Sequence, residues 1–89
     1  MFDNLGGAGN VAVGTEALAN NTSGGENVAI GKIALFTNTT TGANTAIGYT
    51  SLRFNTAANN TAVGHAAFYS NSSGTGNVGL GVSAGYANT

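Results

Sequence analysis

Five charged side chains and one histidine are the strongest candidates for chemistry in this 89-residue chain. His65 is of a type that ligates metals or carries protons near neutral pH. It occupies a slot held by Thr15, Lys32, Tyr49 and Val82 in neighbouring stretches of like sequence, so the slot has no fixed chemistry. A metal site there would need His65 from three copies to meet on an axis; an ordinary surface histidine is the expectation. Asp3, Glu16 and Glu26 show no recurring spacing that would pair an acid with a base. Ser70 and Ser72 lie near His65 but have no orienting acid. The stretch Gly74-Thr75-Gly76-Asn77-Val78-Gly79 matches a dinucleotide-binding phrase in letters. No helix pattern follows it, so the phosphate cradle that gives the phrase meaning is missing. Acidic ligands are too few for calcium. The sequons at Asn20, Asn21, Asn38, Asn59 and Asn71 follow from an Asn- and Thr-rich composition. No catalytic residue, cofactor or metal is expected, and the chain reads as non-enzymatic.

What does recur is a phrase, Asn-x-Ala-Val/Ile-Gly. It begins at Asn10, Asn27, Asn44 and Asn60, and again at Asn77 as Asn-Val-Gly-Leu-Gly. The spacing is 17 residues, with one step of 16. A fixed period of this kind marks a repeat architecture. The large aliphatic position is Val13, Ile30, Ile47, Val63 and Leu80, and Gly14, Gly31, Gly48, Gly64 and Gly81 follow it as turn residues. Leu18, Leu35, Leu52 and Phe68 sit eight residues after each leading Asn. Asn21, Asn38, Asn55, Asn71 and Asn88 sit eleven after it, where Asn favours a turn.

Apolar residues alternate within the phrase, as in a strand, and no helical period fits. Each repeat predicts one strand at the phrase, a second short strand around the Leu or Phe, and two turns. The reading is all-β: a parallel β-solenoid (β-roll or β-helix) of about five 17-residue coils. Residues 1–9 are the tail of an earlier coil, and 10–89 form the repeat domain. Stacked coils turn equivalent residues into columns. The Val/Ile/Leu column and the Leu/Phe column are expected inside, with Ala12, Ala29, Ala46 and Ala62 toward partner chains. Stacked Asn amides are expected to bond along two further columns. The missing residue near Ala57-Ala58-Asn59 is expected to fall in a turn.

So thin a coil offers little core against an ordering cost of ~1–2 kcal/mol per residue. Charged residues are only 6% of the chain, against roughly a quarter in ordinary domains. A surface so poor in charge tends to associate, which points to a homotrimer. With only Lys32 and Arg53 basic, nucleic acid is not an expected partner. No apolar run approaches the ~20 residues of a spanning helix, so membrane insertion is not expected. The lack of cysteine removes disulfide staples and thiolate metal sites.

The repeated phrase resembles repeats in fibre proteins of phages and giant viruses. With a longer period, it is similar to the head repeats of YadA-like trimeric autotransporter adhesins. The likeness spans residues 4–89. It implies a trimeric parallel β-solenoid serving as shaft or adhesive head, outside the cell, on a virion or cell surface. A cell-surface glycan or receptor is the implied partner beyond the chain itself. Phe36, Arg53, Tyr69 and Tyr86, with Tyr49, fall at outward or turn positions. They are candidates either to face such a ligand or to pack between chains. Two other readings compete. One is an ice- or polysaccharide-binding solenoid using Thr22, Thr39, Thr56, Ser72 and Thr89 as a ladder. The other is a filament joined end to end through uncapped coils.

Overall fold

The computed structural model of the chain describes residues 7–86. Five strands lie in one parallel sheet in chain order: β1 (Val11–Val13), β2 (Val28–Ile30), β3 (Thr45–Ile47), β4 (Thr61–Val63) and β5 (Val78–Leu80). Every neighbouring pair keeps the register of the repeat. Val13 faces Ile30, Ile30 faces Ile47, Ile47 faces Val63 and Val63 faces Leu80. The chain is a parallel β-solenoid. About four turns close within the described residues and a fifth begins at Asn77, rather than the five full coils expected. Asn88 and Thr89 lie outside the described residues.

The strand faces are reversed from the expectation. The Ala column is the inner one: Ala29, Ala46 and Ala62 are fully buried. The aliphatic column points out, with Val13 56%, Ile30 36% and Leu80 67% exposed. The reason is the width of the coil. Leu18, Leu35, Leu52 and Phe68 project from the opposite side and are buried against the Ala column. A second row of large side chains would not fit between sheet and Leu column at close-packed density.

The segment carrying those Leu residues is not a second strand. Its backbone alternates between left-handed and ordinary conformations: φ is 60° at Glu16 and 55° at Leu18, 64° at Ile33 and 51° at Leu35. Successive turns overlap, with Ala17 N–H donating to Gly14 O at 3.2 Å and Ala19 N–H to Glu16 O at 3.3 Å. A positive φ at the third residue of each turn is what type II turns require. Between them, Leu18 N–H donates to Ala34 O of the next coil at 2.9 Å. Alternate N–H groups thus close turns and join coils. The left-handed residues cost about 1–2 kcal/mol each without glycine, and the stacking has to offset that.

Two Asn columns fill the rest of the interior. The leading Asn accepts, through Oδ1, the backbone N–H of the next leading Asn: Asn10 from Asn27 at 2.8 Å, Asn44 from Asn60 at 2.9 Å. Its amide N–H reaches a spacer carbonyl of its own coil. The second Asn reaches the same carbonyl. Gly24 O accepts from Asn10 and Asn21, Thr41 O from Asn27 and Asn38, and Gly74 O from Asn60 and Asn71. Side-chain-to-side-chain bonds along the axis occur in the second column, as Asn38 to Asn21 at 3.1 Å and Asn71 to Asn55 at 2.8 Å. The first column is a side-chain-to-backbone ladder instead of an amide stack.

The 16-residue coil loses its residue in the spacer, as expected. Asn44 and Asn55 there converge on Ala57 O, and β3 and β4 stay in register. Only the loop shortens.

Candidate functional site

Two outward columns of the sheet form the most unusual surface of the molecule. One is Val11, Val28, Thr45, Thr61 and Val78; the other is Val13, Ile30, Ile47, Val63 and Leu80. None of the ten is charged. All are at least partly accessible, because the column neighbours above and below cover only their flanks. Parallel sheets are ordinarily covered on both faces. Here the inner face is covered by the Leu column and the outer face is bare within the chain. The Gly residues that end the strands permit this stacking. At Gly14, Gly31 and Gly48 φ is 121° to 131°. An added Cβ would lie 2.5 to 2.9 Å from the backbone of the next coil's Gly.

A second surface runs along the turn segment, through Phe36, Arg53, Tyr69 and Tyr86; Ala19, at the equivalent position of the first coil, is buried. Tyr69 and Tyr86 stack at 4.9 Å with rings 1° from parallel, and Phe54 meets Tyr69 edge-on at 5.2 Å. The Arg53 guanidinium lies 5.6 Å from the Phe36 ring and 5.0 Å from the Phe54 ring. Its Nε is buried without a hydrogen-bond partner. The Tyr69 and Tyr86 ring faces are turned toward each other along the axis, which is the geometry of packing. A sugar needs an open ring face, and the stack uses much of that surface itself.

The other candidates do not converge. His65 is exposed and rests against the Tyr49 ring at 5.1 Å. Among the described residues no three of His, Cys, Asp or Glu lie together as metal ligands. Glu16 and Glu26 are exposed at left-handed turn positions, and Asp3 lies outside the described residues. Gly74–Gly79 covers a spacer and most of β5 with no helix after it. Thr22 and Thr56 direct their hydroxyls to the carbonyls of Thr39 and Ser72 in the next coil, at 3.2 and 2.8 Å. Those hydroxyls are therefore engaged within the solenoid. The sequon residues Asn21, Asn38 and Asn71 are fully buried, so folding removes them as glycan acceptors. No helix among the described residues is long and apolar enough to cross a membrane.

One feature is legible only once the coils are stacked. The fifth coil replaces the repeat's Ala with Gly79 and its Leu with Gly85. A Cβ at Gly79 would lie 2.8 Å from the Phe68 ring, and one at Gly85 would collide with the same ring. Phe68 thus fills volume that two side chains of the next coil give up. The signal lay in three departures from the repeat falling together.

Compared with known proteins, the chain matches no family model, no curated protein and no solved structure.

Proposed function

We propose that the chain is a non-enzymatic structural and adhesive segment of a homotrimeric fibre, displayed on a virion or cell surface. The observation that supports it is the bare outward face of the sheet: two uncharged columns on the side of a parallel sheet that proteins normally cover. Neighbouring copies bring the same aliphatic columns and the same shortage of charge, so like surfaces bury one another. The number three and the display outside the cell rest on the resemblance of the repeated phrase to viral fibre and adhesin repeats.

The test is molar mass in solution across a wide range of concentration. The smallest species of the wild-type chain is expected at three times the 8.7 kDa chain mass. A wild-type monomer would end this reading. The Ile30→Lys/Ile47→Lys variant places two charges on the face and is expected to yield single chains that keep a β spectrum. If that variant stays trimeric, the trimer stands but closes through another face.

A further inference from the structure

Arg53 is the one cation of the turn surface, because Lys32 stands in the column of Tyr49 and His65. Its guanidinium lies 5.6 Å from the Phe36 ring and 5.0 Å from the Phe54 ring, both inside the reach of about 6 Å for a cation–π contact. These contacts hold the group in place without accepting its in-plane hydrogen bonds. No described residue accepts from the guanidinium, and neither Glu16 nor Glu26 pairs with it. Of its nitrogens Nε alone is buried, so the terminal pair of donors meets solvent. A fixed, planar fork with its end-on donors open matches the two oxygens of a carboxylate. A doubly charged phosphate is ordinarily met by several basic groups, and here there is one.

The surroundings of the fork narrow the class of molecule that carries the carboxylate. The N–H groups of Thr37, Phe54 and Ser70 donate to carbonyls of the next coil, at 3.0, 3.4 and 2.9 Å. An acidic peptide would therefore find no backbone ladder to join there. What stands open is neutral and polar: the hydroxyls of Thr37, Tyr69 and Ser70 make no hydrogen bond with described residues. Beside them the Phe54 ring is 41% exposed. Hydroxyls and one partly open ring around a single cation suit a sugar that bears an acid group. The described residues enclose no pocket, so the ligand lies along an open surface, as a stretch of polymer does.

We propose that Arg53 binds the carboxylate of an acidic polysaccharide that lies along the turn surface. The inference rests on the adhesive part of the reading above and gives it a ligand class. The segment that carries Arg53 lies across the core from the sheet, since Leu52 packs inward against the Ala column. Covering the sheet face with other copies thus leaves Arg53 outside, once per copy. One such contact is weak, and several copies on one polymer strengthen it by multivalency. The stacked tyrosines use much of their own ring surface, so the charge does the selecting.

The experiment is interferometry of the full chain on immobilised polygalacturonate, hyaluronan and polysialic acid. Methyl-esterified polygalacturonate is the uncharged control, and dextran sulfate is the anion without a carboxylate. Wild type is expected to bind at least one carboxylated polymer, and about tenfold more weakly or worse on the two controls. Arg53→Gln is expected to lose a similar factor, and Arg53→Lys, which keeps the charge without the fork, to fall between. No binding to any carboxylated polymer overturns the proposal. So does equal binding to dextran sulfate, or Arg53→Gln binding like wild type. If Arg53→Gln misfolds, an oligosaccharide of the polymer that binds is titrated into wild type and followed by NMR. The Arg53 Nε–H and Phe54 ring signals are expected to move, and signals that stay in place overturn the proposal. Sedimentation run alongside separates site from assembly. A trimer that ignores every carboxylated polymer removes the site alone, and a monomer that binds through Arg53 removes the trimer alone.

Discussion

At the scale of the residue, small differences in space decide what each position tolerates. Gly48 and Gly81 have the same role in the repeat but different neighbours. A Cβ at Gly48 would stand 2.5 Å from Gly64 O, while at Gly81 it would meet nothing within 4 Å. Gly48→Ala is expected to lose about 4 kcal/mol or more, combining backbone strain with a backbone collision. Gly81→Ala carries only the strain, about 1–3 kcal/mol. Urea unfolding of the two variants measures the gap, and equal losses would contradict the stacked geometry. Gly79 tests the same idea through a partner. Gly79→Ala should destabilise, and adding Phe68→Leu should recover part of the loss, because the two share one volume. A double-mutant cycle with purely additive terms would remove Phe68 as the cause.

The Asn columns make a prediction in pH. Asn44 accepts from Asn60 N–H and donates to Ala57 O, both at 2.9 Å, in a fully buried site. In Asn44→Asp the carboxylate keeps the first bond and faces the Ala57 carbonyl with no proton to offer. Burial and that carbonyl both disfavour the charged form, so the folded pKa of the new acid rises above its unfolded value of about 3.9. The folded state then binds the proton more tightly than the unfolded state. The variant's stability is therefore fully present below the unfolded pKa and is lost as pH rises through the folded one. Urea midpoints at pH 3 and pH 7, each compared with wild type, should show the deficit growing at pH 7. A deficit independent of pH would mean that the site is wetter than it looks.

At the scale of the element, the repeat was legible and the side it turned inward was not. Equal spacing of Asn, Gly and Leu announced stacked coils, and the register of the five strands follows it. Both strand faces carry regular non-polar residues, however, so size alone suggested Val and Ile inside. Coil width decides otherwise, and width is a property of two elements facing each other. The Leu-bearing segment hid its nature for another reason. Its left-handed positions hold Glu16, Leu18, Ile33, Leu35 and Leu52 instead of Gly, so the usual sign of such a backbone is missing. The spacer was easier to read, since its composition is loop-like and the 16-residue step falls there. One Gly inserted after Ala58 should therefore cost less than about 1 kcal/mol, because loop-closure entropy grows slowly with length. The same insertion between Ala46 and Ile47 should unfold the chain, since it turns Ile47 to the crowded inner face and shifts Gly48 and Leu52 out of their columns. Thermal melts of the two insertions check this.

At the scale of the whole molecule, the solenoid has an inside made of Ala, Leu and Asn and an outside with little to hold it in water as a single chain. Fully burying one Val, Leu or Ile side chain contributes about 1.5–3 kcal/mol, and the outward columns offer several that are only partly covered. In the proposed assembly, that surface is what neighbouring copies would cover. The aromatic column adds contacts between successive coils through Tyr69 and Tyr86 and through Arg53 near the Phe36 and Phe54 rings. The Thr ladder, by contrast, has hydroxyls already engaged with the next coil at Thr22 and Thr56.

Sedimentation of the wild-type chain on progressive dilution bears most directly on whether the outward face is covered by other copies. The expected result is a smallest species of three chains that persists on dilution, and falls to one chain when Ile30 and Ile47 become Lys. A wild-type chain that sediments as a folded monomer would contradict it.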